Sequence, residues 1–248
     1  MKRIQWLLLG LIGVFTLTLS PGCFIDIDDD DNIFGCLNGS GPIVSETITL
    51  PDFTGIDVRM SARVFVRQGD EFEVTVEGKQ NIIDELERDV HNGIWRIEID
   101  RCVRDVGELT VFVTMPDITS LKMSGSGDII SENTLIVQDI NLEISGSGDI
   151  DLSLEADDID SRISGSGDLI LEGLADELDL TISGSGDLRA FGLTLRTADI
   201  NITGSGDAEV FVNELLIVRI SGSGDVFFKG DPTIDTTITG SGRVVDAN

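Results

Sequence analysis

The residues best placed to do chemistry are six aspartates that close the same short string: Asp128, Asp149, Asp168, Asp187, Asp207 and Asp225. The string Ser-Gly-Ser-Gly-Asp starts at Ser124, Ser145, Ser164, Ser183 and Ser221, and Thr203 opens a copy with Thr for Ser. A seventh copy begins at Thr239 and ends in Arg243 instead of Asp. Carboxylates repeated beside paired glycines point to two chemistries. Each can accept backbone N–H bonds at its own Gly-rich corner, as Asx turns do, or the column can collect calcium. The string lacks the full Gly-rich nonapeptide of calcium-binding β-rolls. Local hydrogen bonding without a resident cofactor is therefore the expectation, and calcium the alternative.

Catalysis has few other candidates. The single histidine, His91, sits beside the Asn92-Gly93 turn and would have to serve any His-based triad. Carboxylate pairs are abundant, but 45 acidic against 17 basic residues make abundance uninformative. The net charge of −28 repels phosphate backbones, so nucleic-acid binding is excluded as an expectation. A hydrophobic content of 41% is enough for a sizeable core despite that charge.

Of three cysteines, Cys23 follows a basic Met1-Lys2-Arg3 start and an apolar run from Trp6 to Leu19. The run is shorter than the roughly 20 residues of a membrane span and fits a signal peptide over residues 1–22. Gly22-Cys23 is similar to a bacterial lipobox, in which the Cys thiol is lipidated, although Ser20 stands where an aliphatic residue is usual. The expectation is a membrane partner through an N-terminal lipid; an ordinary secretory leader with Cys23 paired to another thiol is the alternative. Lipidation leaves Cys36 and Cys102 as an even pair outside the cytosol, which favours a disulfide. Residues 23–43, with Asp28 to Asp31, read as an acidic tether, a sorting signal or a weak cation trap.

These residues need a scaffold that returns the chain to one place every 18 to 21 residues, the spacing of the copies. Between copies apolar residues alternate, as in Leu142 and Ile144 or Ile150, Leu152 and Leu154, which is strand patterning with one buried face. Before each copy stand Met123, Ile144, Ile163, Ile182, Ile202, Ile220 and Ile238; after each stand Ile129, Ile150, Leu169, Leu188, Ala208, Val226 and Val244. Such columns stack if each repeat is one coil, with coils about 4.8 Å apart. The fold class expected is all-β, a single-stranded right-handed parallel β-helix of three short strands per coil. Its corners would be Gly125 and Gly127, Gly146 and Gly148, Gly165 and Gly167, Gly184 and Gly186, Gly204 and Gly206, Gly222 and Gly224, and Gly240 and Gly242. Glycine there answers a positive φ or a close backbone approach. A propeller needs about 40 residues per blade, and leucine-rich repeats need a Leu/Asn signature that is absent.

Residues 44–248 form the domain, with 116–248 as the repeats and 44–115 as initial coils plus a sheet covering the first edge. Gly39-Ser40-Gly41 reads as a stray corner and Ser61-Ala62-Arg63 as a degraded one; Asn92-Gly93 signals a hairpin; Asn81 to Arg88 suit a short helix.

In this order the residues resemble a known family. The entry Phe53-Thr54-Gly55-Ile56-Asp57-Val58, the segment Val64-Phe65-Val66-Arg67-Gln68-Gly69-Asp70, then Asn81-Ile82-Ile83, the Asn92-Gly93 turn and the Ser-Gly-Ser-Gly-Asp series are similar to the head GIN domain family of adhesin-like bacterial secreted proteins and lipoproteins. The resemblance covers roughly residues 36 to 245. It implies a right-handed β-helix at the cell envelope. Together with the Gly22-Cys23 leader and the few catalytic candidates, the expectation is an exported, non-enzymatic module, lipid-anchored at the outer membrane, that meets a glycan or protein surface ligand. A purely structural envelope protein is the alternative. A polysaccharide-active enzyme is the weaker one, because near-minimal coils leave little chain for a cleft.

Overall fold

The computed structural model describes residues 35–248. The leader, Cys23 and the aspartates 28–31 lie outside the described residues. The chain is nearly all β and winds into a parallel β-solenoid of about seven turns.

The two apolar columns run through its whole length. One pairs Ile97, Val58, Met123, Ile144, Ile163, Ile182, Ile202, Ile220 and Ile238 from coil to coil. The other runs Val111, Val64, Ile129, Ile150, Leu169, Leu188, Ala208, Val226 and Val244. From Val58 to Ile220 the first column is essentially closed to solvent. Burying each Ile or Leu contributes about 1.5–3 kcal/mol, so the stack is held mainly by these ladders. Ser161 interrupts a neighbouring column between Leu142 and Leu180, and its buried hydroxyl has no partner.

The sides of each coil join without a break in the strand. Asp149–Ile163, Leu169–Ile182, Leu188–Ile202 and Ala208–Ile220 each run as continuous strand from one corner to the next, and in Leu188–Ile202 the inward alternation changes phase twice, after Ala190 and after Leu195. The bends between corners carry no shared string: Gly173, over Leu154, and Gly230, over Val212, have φ of 121° and 95° at different columns of the coil.

The first coils do not stack in chain order. Gly55–Val58 and Arg63–Gln68 lie between Ser120–Met123 and Asp128–Ser131 above and Ile94–Ile97 and Thr110–Met115 below. The end is closed by antiparallel pairing of Glu73–Lys79 with Thr110–Met115, and of Ile43–Ile48 with Glu73–Lys79. The expected covering sheet is thus present. The Asn92-Gly93 turn joins Val90–His91 to Ile94–Ile97, both residues at positive φ as a two-residue hairpin requires. The helix is a single turn, Gln80–Ile83, because i→i+3 bonds from Glu85 and Leu86 tighten the chain after it and turn Leu86 inward.

Cys36 and Cys102 are joined by a disulfide. It lies beside the parallel pair Leu37–Asn38 and Val103–Asp105. That strand, and Ile43–Ile48, correct the boundary at residue 44: the last part of the segment read as a tether belongs to the cap. Gly39-Ser40-Gly41 is not a corner. It is clamped by Asn81, whose side chain accepts from the Ser40 N–H and donates to the Asn38 carbonyl.

Candidate functional site

The repeated corners form one ribbon along the solenoid. Their glycines are required by proximity, and none of the fourteen in the Gly-Ser-Gly strings has a positive φ. A Cβ on Gly165 would overlap the carbonyl oxygen of Gly146, and one on Gly186 that of Gly167; the same holds up the stack to Gly242 over Gly224. The backbones are this close because each central Ser N–H bonds the first Gly carbonyl one coil earlier, as Ser185 to Gly165 at 3.0 Å. The serine side chains on either side of each first glycine are exposed, although the Ser124 hydroxyl at the base of the ribbon turns to Asp57.

The aspartates hold the corner from the other side. Asp149 accepts the backbone N–H of Asp168 at 2.7 Å, Asp168 that of Asp187 at 3.0 Å, Asp187 that of Asp207 at 2.8 Å, Asp207 that of Asp225 at 2.7 Å, and Asp225 that of Arg243 at 2.8 Å. The expectation placed each carboxylate on its own corner. The structure corrects this: the acceptor serves the next coil. The backbone carbonyl of each Asp is meanwhile taken by the residue after the preceding Asp, as in Leu169 to Asp187. In the first two copies the Asp N–H still finds a carbonyl, Asp128 that of Ala62 and Asp149 that of Gly127; from Asp168 onward the carboxylate one coil back takes that place. An unmet buried N–H costs about 1–3 kcal/mol, which explains a repeated Asp without invoking a ligand.

Arginines end the column. Arg63 pairs in register with Asp128 and its Nε lies 3.3 Å from that carboxylate. Arg243 sits over Asp225 at 2.6 Å, and this guanidinium hydrogen bond holds the Asp225 carboxyl below the usual carboxylate range. Arg189 reaches Asp168 at 2.7 Å. The last copy can drop its Asp because, among the described residues, no further coil asks for an acceptor. Arg63 was legible only by aligning Met60-Ser61-Ala62-Arg63 with Gly125-Ser126-Gly127-Asp128.

Beside the ribbon, outward carboxylates stack with a single arginine paired among them, Arg219 on Asp199 at 2.6 Å. Asp160, Asp179 and Asp199 face one another across coils, next to Asp139, Asp158 and Glu177. Partial desolvation, then Asp199, Asp160 and Asp158, raise the Asp179 carboxyl above its ordinary value. Among the described residues the one buried carboxylate is Asp57, not singled out by its sequence; Arg59 Nε at 2.7 Å and the Ser124 hydroxyl at 2.8 Å hold it at the base of the ribbon. His91 remains an exposed turn residue.

The family model described as "Putative auto-transporter adhesin, head GIN domain" matches residues 52–232. A search of the curated proteins gave no match. Among solved structures, one described as a putative adhesin from Bacteroides fragilis NCTC 9343 is 24% identical, with a TM-score of 0.80 over 84% of this chain and 98% of that one. A "putative lipid binding protein" from Parabacteroides distasonis ATCC 8503 is 23% identical, TM-score 0.73, over 85% and 99%. A putative adhesin from the same organism is 26% identical, TM-score 0.68, over 84% and 98%.

Proposed function

Since the chain belongs to the head GIN domain family, we propose that it is an exported, lipid-anchored and non-catalytic module that attaches the cell envelope to a glycan or protein surface. The observation that carries this reading is the state of the corner carboxylates. They are engaged by the next coil's backbone, so the repeat builds a rigid rod and leaves its exposed hydroxyl ribbon and outward faces as the contact surface. Rigid elements hold contact groups in place at little entropic cost. The relatives described as adhesins support the same reading.

The relative described as lipid binding points to a second surface, the shallow groove of about 530 Å³ along the bend, where Ile136 and Leu174 are exposed. Its rim of Glu155, Asp157, Asp176 and Glu214 outnumbers the single cation there, Arg196, which is already paired with Asp176 and Glu214, and so opposes anionic head groups. The polar-surface reading is therefore preferred.

The test is anchoring and attachment in the same cells. Labelled fatty acid is expected to enter the wild-type chain and not Cys23→Ala. Cells carrying the wild type attach to glycan- or protein-coated surfaces; cells without the chain, or with Cys23→Ala, lose that attachment. Equal labelling of both forms would refute the anchor, and unchanged attachment without the chain would refute the module.

A further inference from the structure

The two ends of the rod differ. The N-terminal end is closed by antiparallel strands, whereas Thr233–Ile238 pairs only with Ala208–Ile220 and Val244–Asp246 only with Val226–Lys229. Among the described residues nothing pairs with their outer edges. Ile234 and Ile238, which continue the inward columns of Leu216 and Ile220, are 41% and 42% exposed where those two are closed. An open strand edge with exposed apolar residues is a template for another strand.

We propose that this edge is a homotypic contact: two copies join tip to tip through antiparallel pairing of Thr233–Ile238 with itself. Residues directly opposite in an antiparallel pair share a face, so a two-fold axis must pass through a residue of the strand. An axis through Asp235 would set two carboxylates against each other. An axis through Thr237 would set Ile234 against Gly240. Centred on Thr236, the pairing matches Ile234 with Ile238 of the second copy on the inward side, and Asp235 with Thr237 of the second copy on the outward side. Thr236 meets itself. Of the registers centred on the three middle residues, this is the one that pairs both isoleucines with each other and opposes no like charges.

Charge permits it. From residue 233 onward the charged side chains are Asp235, Arg243 and Asp246, a near-balance in a chain of −28. The unpaired carboxylate of Asp179 lies three coils below Asp235 in the same column. At about 4.8 Å per coil this exceeds the Debye length of about 8 Å in physiological salt. The end is also tempered. Thr236 stands where earlier coils have Leu180, Ile200 and Val218, and Asp246 stands over Phe228. These keep a free tip soluble, so the contact is small and reversible, as expected well below about 1,200 Å² of buried surface.

The inference deepens the attachment reading by naming a partner, a second copy, and rests on it for the geometry. The disulfide-tied N-terminal end carries the anchor side, so open tips point away from the membrane and copies on facing surfaces meet end on.

Sedimentation of the full chain in detergent, over a concentration series, is expected to show reversible dimers. Thr236→Lys, at an exposed position, should leave the melting temperature unchanged and weaken dimerisation about tenfold or more by placing two ammonium groups on the axis. In a Cys23→Ser background, Thr236→Cys should cross-link to itself on mild oxidation and Thr237→Cys should not. A single monomeric species throughout, equal dimerisation of wild type and Thr236→Lys, or cross-linking of Thr237→Cys alone would overturn the proposal. Attachment of cells to foreign surfaces is scored separately: it tests the module whether or not copies pair, and dimerisation in detergent stands whether or not cells attach.

Discussion

Gly186→Ala is expected to unfold the middle of the solenoid, while Gly192→Ala, six residues on, leaves it standing. A Cβ at Gly186 would overlap the Gly167 carbonyl oxygen and press on Ile163 Cγ2 at 3.0 Å. Neither neighbour can swing aside, because one is main chain and the other is a core side chain. Two coils must then separate, which strains the Ser185 bond to Gly165 and the Asp187 N–H bond to Asp168. A cost of about 4 kcal/mol or more is expected, at the extreme of single substitutions. At Gly192 the added carbon meets Glu172 Cγ at 2.9 Å, part of an exposed and flexible side chain that can move. Its cost should stay within about 0.5 kcal/mol. Matched thermal melts of the two variants decide the point, and coincident curves would show that the corner is not packed as described.

The second large effect separates the two sides of a strand. Ile182 is closed to solvent between Ile163 and Ile202, so Ile182→Asp loses roughly 2 kcal/mol of apolar burial and buries an unpaired carboxylate at a cost of several more. Asp179, three residues earlier, points outward into the carboxylates of Asp160 and Asp199. Its raised protonation range means that it favours the fold when protonated, and that this advantage is lost as pH rises through the folded-state value. Asp179→Asn should therefore melt at or above wild type near neutrality, and the gain should shrink as pH falls into the carboxylate range. Melting of Ile182→Asp together with Asp179→Asn would contradict the register.

The repeat made this register readable. Alternation around each Ser-Gly-Ser-Gly-Asp string fixes which residues face inward, and the columns from Met123 to Ile220 are those seen in the fold. Ile238 departs from its column because a column needs a coil on both sides to bury it, a condition no single repeat can display. Three other features were hidden for physical reasons. The bends have no common residue, since Gly173 and Gly230 fall in different columns of the coil. The order of the first coils depends on a strand exchange that leaves no periodic trace: Ile94–Ile97 slides beneath Gly55–Val58 although it follows it in the chain. From Asp149 onward the partner of each Asp lies one coil away, 18 to 20 residues along, so its bond is a property of the stack and not of the local turn. Composition favoured a turn-like Asx reading because that bond is local; the structure prefers the longer one because the corner orphans the following N–H.

The central claim is that the repeated Asp completes the main-chain hydrogen bonding of the rod and is not a cation ligand. Melting of the full chain with and without millimolar calcium, for wild type, Asp187→Asn and Asp187→Ala, tests it most directly. Calcium should raise the melting temperature no more than sodium chloride of equal ionic strength. Asp187→Asn should melt near wild type, because its amide oxygen can still accept the Asp207 N–H, whereas Asp187→Ala should lose about 1–3 kcal/mol. A saturable shift seen with calcium alone, and abolished in Asp168→Asn/Asp187→Asn, would contradict the account and make the corner a metal site.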